Sequence, residues 1–168
     1  MSTDQKSVQK ADHQALNNDH FNSNSADYDL IPQVKLMSER TSKVLIEEFT
    51  ASTSEERVKD ATILDFGCGT GLCTLLVAPH VKQVLGVDAS AGMLRHLNFK
   101  LTTLDENADI RDKIKTVNHL VTQESPLPEP EYSQFVGGSS DGGVGFDMIY
   151  TSFVLHHIED VQGIIDTL

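Results

Sequence analysis

The run Ile63-Leu64-Asp65-Phe66-Gly67-Cys68-Gly69-Thr70-Gly71 constrains this chain more than any other feature. A short apolar segment led by β-branched Ile63 enters three glycines at every second residue, and a helix-like run from Leu72 to Ala78 follows. The pattern predicts a strand, a tight turn and a helix N-terminus, an arrangement that brings backbone very close to a ligand. Exposed N–H groups at such a helix end favour an anionic group, here a carboxylate. A second apolar run, Val84-Leu85-Gly86-Val87, ends in Asp88, a carboxylate placed to accept hydrogen bonds from both hydroxyls of a ribose.

Dinucleotide binding is the usual rival for a glycine-rich turn. Its fingerprint is G-x-G-x-x-G, whereas position 72 is Leu and the third glycine arrives one residue early at Gly71. Asp65 also argues against it, because a carboxylate just ahead of the turn repels a pyrophosphate but attracts an ammonium group. A ligand with an amino-acid end and a ribose end satisfies Asp65, the turn and Asp88 together. S-adenosylmethionine is such a ligand.

Three segments in order then resemble the class I S-adenosylmethionine-dependent methyltransferases, in the branch with small soluble domains. They are Ile63–Gly71, Val84–Leu94 and Phe146–Asp160. The middle one carries Asp88-Ala89-Ser90-Ala91-Gly92-Met93-Leu94, and the last runs from Phe146-Asp147-Met148-Ile149-Tyr150 into Leu155-His156-His157-Ile158-Glu159-Asp160. The resemblance implies a Rossmann-like, mostly parallel α/β sheet with helices on both faces. It implies methyl transfer to a small-molecule acceptor by in-line displacement at the sulfonium methyl. The cofactor-binding candidates are Asp65, Gly67, Cys68, Gly69, Gly71, Asp88, Ala89, Met93, Glu124 and Thr151. His157 is the catalytic candidate, as a base for a hydroxyl or amine nucleophile. Thr151 and Ser152, ending the fourth strand, would lie beside the reactive methyl. The chemistry calls for no metal, and no metal-ligand spacing is visible.

Plainer roles compete with several of these. Asp88 also suits a strand end or helix cap, Met93 falls at core spacing, and Glu124 suits a solvated loop. His156 and His157 point about 100° apart if helical, so one of them at most faces a pocket. Cys68 is explained by cofactor approach rather than nucleophilic chemistry.

A length of 168 residues allows one domain with a real core. No apolar run reaches the length of a membrane span, and the polar stretch Met1 to Lys10 is not a signal peptide. Cys68 and Cys73 lack C-x-x-C spacing, which points to a reducing, cytoplasmic setting. The net charge of −12 disfavours nonspecific nucleic-acid binding, which depends on basic phosphate contacts.

Along the chain, 1–29 reads as a polar extension, partly disordered, with a short helix around Ala11–His20. The rest, 30–168, reads as an incomplete methyltransferase domain. A cap helix spans Pro32–Phe49 with an apolar face of Val34, Met37, Val44, Leu45 and Phe49. Thr50 to Lys59 reads as a polar link. Strands follow at Ala61–Phe66, Gln83–Val87, Lys115–Val121 and Phe146–Tyr150. Ser90 caps a helix with the stripe Met93, Leu97, Leu101 and Leu104, and a final helix spans Phe153–Leu168. The Pro- and Gly-rich stretch 122–145 reads as a mobile insertion. The family has seven strands, so its last ones are expected to be missing, with the edge of strand four open to a protein partner or to self-association. That expectation keeps a second reading open, a noncatalytic cofactor-binding or partner-binding fragment. A dinucleotide-dependent oxidoreductase is the distant third.

Overall fold

The computed structural model describes residues 19–127 and 145–168. Within them, four parallel strands form one sheet in the order β3-β2-β1-β4. They are β1 (Thr62–Phe66), β2 (Gln83–Asp88), β3 (Ile114–Asn118) and β4 (Met148–Thr151). Parallel neighbours require crossover connections. These are α4 (Leu72–Val77) between β1 and β2, and α5 (Ala91–Thr103) between β2 and β3.

Alternation along the central strands divides the core into two layers. Ile63 and Val84 pack with Val77, Leu94, Leu97 and Leu101, the apolar faces of α4 and α5. Leu64, Phe66, Leu85 and Val87 face the other way, against Val121 and Ile164. Every residue of β1 is buried, as expected for a central parallel strand covered on both sides. That burial makes Asp65, with 1% of its surface exposed, the conspicuous polar residue of β1.

Among the described residues, three elements precede β1. Residues 19–28 are helical (α1), α2 spans Pro32–Ser52 and α3 spans Glu55–Asp60. A helix therefore spans the expected position, and of its expected apolar face Phe49 and Leu45 pack into the core and Val34 lines the cavity described below, whereas Met37 and Val44 do not pack inward. Ser38, Ser42 and Phe49 are buried, while Met37 is 50% and Val44 54% exposed. Small serines let α2 approach α4 closely, and the Cys73 thiol reaches the Ser38 carbonyl at 3.9 Å. The expected link Thr50–Lys59 is also corrected. α2 runs on to Ser52, and Ser54 starts α3 by accepting a hydrogen bond from the Arg57 N–H, an N-cap followed by two acids.

β3 ends at Asn118 rather than continuing to Val121, and the stripe on α5 stops at Leu101, since Leu104 is exposed. The final helix is broken. Phe153 adopts φ 63°, a 3-10 turn covers Leu155–His157, and Asp160 caps a short α6 (Val161–Ile165) through the Gly163 N–H. Of the expected N-terminal helix Ala11–His20, and of the insertion 122–145, the greater part lies outside the described residues.

Candidate functional site

A cavity of about 470 Å³ opens at the C-terminal ends of the strands, the position where open α/β sheets take ligands. The glycine turn forms part of its floor. Gly67, Gly69 and Gly71 all have positive φ, at 75°, 55° and 79°, a region in which side chains are strained. Packing adds a second requirement at two of them. A Cβ on Gly67 would stand 2.2 Å from Val154 Cγ2, and one on Gly71 2.3 Å from Leu97 Cδ1. A Cβ on Gly69 would meet nothing within 4 Å, and Gly69 lines the cavity, so this glycine leaves space open for a ligand.

Asp88, ending β2, ties that turn to the next loop. Its Oδ2 accepts a hydrogen bond from the Gly69 N–H at 2.8 Å, and its Oδ1 accepts one from the Ser90 N–H at 2.7 Å. Burial raises its pKa, and the two N–H donors act against that. Each oxygen keeps acceptor capacity for a further donor.

Asp65 lies deeper. The register places it beside Tyr150 of β4, whose hydroxyl donates to Asp65 Oδ2 at 2.7 Å. The Thr74 hydroxyl, on α4, donates to the same oxygen at 2.5 Å. Burial pushes the carboxyl up to about 6, with the two hydroxyls pulling it down. Burial and the Asp65 charge raise the Tyr150 hydroxyl well above its ordinary value, so Tyr150 remains a donor at physiological pH.

The N-terminal segment closes over these loops. Asn22 Oδ1 accepts from the Gly92 N–H at 2.7 Å and from the Ser90 hydroxyl at 2.9 Å, serving the start of α5. Asp29 accepts from the Thr70 hydroxyl and from Lys100 Nζ, the latter at 2.6 Å, with His96 Nε2 3.4 Å away. One end of this segment thus grips the loop after β2 and the other grips the glycine turn. Phe21 and Tyr28 line the cavity, and Phe21 meets the His157 ring edge-on at 5.1 Å.

Of the residues singled out in the sequence, Asp65, Gly67, Cys68, Gly69, Asp88, Ala89, Met93, Glu124 and His157 share this cavity wall. Gly71 and Thr151 do not. Gly71 is the left-handed N-cap of α4, and Thr151 Oγ1 is buried without a hydrogen-bond partner, while its neighbours Ser152 and Phe153 take the wall. His157 lines the cavity and its neighbour His156 does not. Burial, reinforced by Asp65 and Asp88, pushes the Cys68 thiol well above its ordinary value, keeping it protonated and a poor nucleophile.

Asn22, Asp29, Thr74 and Tyr150 were not singled out. Tyr150 was within reach, because its register opposite a buried acid follows once the parallel pairing of β1 with β4 is drawn. Asn22 and Asp29 carry no local signal, since their partners lie 41 to 71 residues away.

A family described as the methyltransferase domain matches residues 37–168, which takes in the glycine turn, Asp88 and β4. The chain belongs to the methyltransferase-domain family. An uncharacterized methyltransferase of Schizosaccharomyces pombe is 27% identical over 115 residues, 64% of this chain and 33% of that protein. The chain therefore spans about a third of the length of that relative. The fold resembles magnesium protoporphyrin IX methyltransferase from Synechocystis PCC 6803, a structure with bound SAM, at TM-score 0.62 and 18% identity, covering 92% of this chain and 69% of that one. It also resembles phosphoethanolamine N-methyltransferase 1 of Haemonchus contortus, at TM-score 0.56 and 15% identity, covering 95% of this chain and 28% of that one. At such identities the likeness is one of fold, a Rossmann-like methyltransferase fold with a mostly parallel sheet. No helix among the described residues is long and apolar enough to cross a membrane.

Proposed function

We propose that this domain binds S-adenosylmethionine in the cavity above β1 and β2 and transfers its methyl group to a small-molecule acceptor. The observation that carries the reading is that Asp65, the glycine turn and Asp88 line one continuous cavity, with Gly69 leaving free space at its floor. A cationic amine suits Asp65, a ribose diol suits the remaining lone pairs of Asp88, and Met93 and Val121 offer apolar walls to a flat base. Glu124, also on the wall, is available to an exocyclic amine.

The bound cofactor supplies a methyl group on a positively charged sulfur, activated before the protein acts. The work left to the chain is positioning and exclusion of water. Asp65 holds the ammonium end, and its own orientation is set by Thr74 and Tyr150. Asp88 holds the ribose while its bonds to Gly69 and Ser90 keep the two loops in register. Phe21 and Tyr28 cover the cavity and exclude water. His157, on the wall beside Phe21, takes the proton that a hydroxyl or amine acceptor sheds.

Calorimetric titration with S-adenosylmethionine, S-adenosylhomocysteine and NAD tests the cofactor assignment. The first two should bind at one site and NAD should not. NAD binding in place of both would support the oxidoreductase reading instead.

A further inference from the structure

Helix α2 (Pro32–Ser52) presents three arcs around its circumference. Ser38, Ser42 and Phe49 pack inward, against α4 and the core. Lys35, Glu39 and Lys43 follow one another at four-residue spacing on an exposed, charged arc. The third arc is apolar and yet exposed. It carries Met37 (50%), Val44 (54%) and Ala51, which stand seven residues apart. Seven residues fall about 20° short of two full helical turns, so the three form one stripe along the helix. Apolar residues scattered singly are ordinary on a protein surface, but a heptad-spaced row is the seam by which one helix packs on another.

The charges beside the stripe indicate what it packs on. Arg40 lies about 40° to one side of Val44 and about 6 Å before it along the axis, and Glu47 lies about 60° to the same side and about 4.5 Å beyond it. Both are exposed. At three- and four-residue spacing Arg40 has Leu36, Met37, Lys43 and Val44, so its own helix offers it no acid. Glu47 is 3.8 Å from Lys43 in an exposed pair, the kind worth little. A two-fold axis beside Val44 that sets α2 antiparallel to its copy brings each Arg40 to within about 1.5 Å of the level of the copy's Glu47, on the same side of the seam. Val44 then meets Val44, and Met37 meets Ala51, a large side chain against a small one. A parallel pairing would instead set Arg40 opposite Arg40 and Glu47 opposite Glu47.

We propose that the outer face of α2 is a self-association surface, and that its occupant is a second copy of this chain packed antiparallel along the Met37–Val44–Ala51 stripe. The same patch serves both subunits, as a two-fold interface requires. One helix against one helix buries little area, so the dimer is reversible and concentration-dependent. The inward side of the same helix sends Val34 and Ser38 to the cavity wall, so the second copy braces a helix that forms part of that wall.

Analytical ultracentrifugation of the full chain, from micromolar to the highest soluble concentration, tests this. Far-UV circular dichroism and thermal unfolding first establish that each variant is folded. The parent should show a monomer–dimer equilibrium. Val44→Asp should weaken it roughly tenfold or more, since it places two carboxylates at the centre of the seam. Arg40→Glu and Glu47→Arg should each weaken it roughly fivefold, by setting like charges opposite one another, and the double variant should return to within about twofold of the parent. An equimolar mixture of the two single variants should associate more tightly than either alone. A parent that stays monomeric throughout would overturn the proposal. So would a dimer that survives Val44→Asp unchanged, which would lie on another surface such as the edge of β4, and so would a double variant that associates no more tightly than the singles.

Discussion

Replacing Asp65 by Asn separates what this residue does for stability from what it does for binding. The carboxyl titrates at about 6 against an ordinary 3.8, because burial penalises its charged form more than Thr74 and Tyr150 favour it. The folded state thus holds a proton that the unfolded state releases earlier. Stability from this group is fully present below pH 3.8 and is lost as pH rises through 6. At pH 7.5 the loss amounts to roughly 3 kcal/mol, at about 1.4 kcal/mol for each pH unit between the two values. Asn keeps an acceptor oxygen for both hydroxyls and removes the ionisation. Asp65→Asn should therefore be more stable than the parent by roughly 2–3 kcal/mol at pH 7.5, with the difference vanishing near pH 4. At the same time it should bind S-adenosylhomocysteine more weakly and gain less stability from it, because the ligand's ammonium loses its counter-charge. Urea unfolding of both proteins between pH 4 and 8, with and without ligand, measures all of this. A variant equally or less stable at pH 7.5, or one that binds the ligand as well as the parent, would refute the reasoning.

Asp88→Ala should weaken S-adenosylhomocysteine binding by roughly 1.5–3 kcal/mol, by removing charge-assisted bonds and loosening Gly69 from Ser90. Unchanged affinity in a folded variant, read by calorimetry, would take Asp88 out of the site. Gly69→Val should abolish cofactor binding, since its φ of 55° resists a β-branched side chain and that side chain would fill the ligand's space; normal binding would defeat the close-approach argument. Gly92→Ala places a Cβ 2.7 Å from the Asn22 backbone and should lift residues 19–31 from α5, seen as faster limited proteolysis there with the sheet still folded. Asp29→Ala should do the same from the other end, at a cost of about 1–3 kcal/mol, by leaving Lys100 and Thr70 without their acceptor. Unaltered proteolysis in both variants would show that these contacts do not hold the segment down.

What was legible in the sequence is what depends on neighbours along the chain. The glycine turn, the strand before it, the helix start after it and the acid ending β2 each announce themselves within a few residues, through apolar runs and backbone freedom. Ser90 capping α5 was readable for the same reason, as its partner is the Met93 N–H. Packing choices were less legible. Apolar count favoured Met37 and Val44 on the buried face of α2, yet the helix turns its serines inward because a close approach to α4 rewards small side chains. The break at Phe153 was hidden because its positive φ falls on a residue with no intrinsic liking for it. The polar composition of the N-terminal extension read as loose structure. Within it, Asn22 and Asp29 are acceptors for two loops that reach them only in the folded state.

The most direct test of the central claim is calorimetric titration of this chain with S-adenosylhomocysteine, run in parallel on the parent, Asp65→Asn and Asp88→Ala. The account predicts one site on the parent and weaker binding in both variants, with the variants still folded. An absence of binding to a folded parent, or equal affinity in all three proteins, would contradict it.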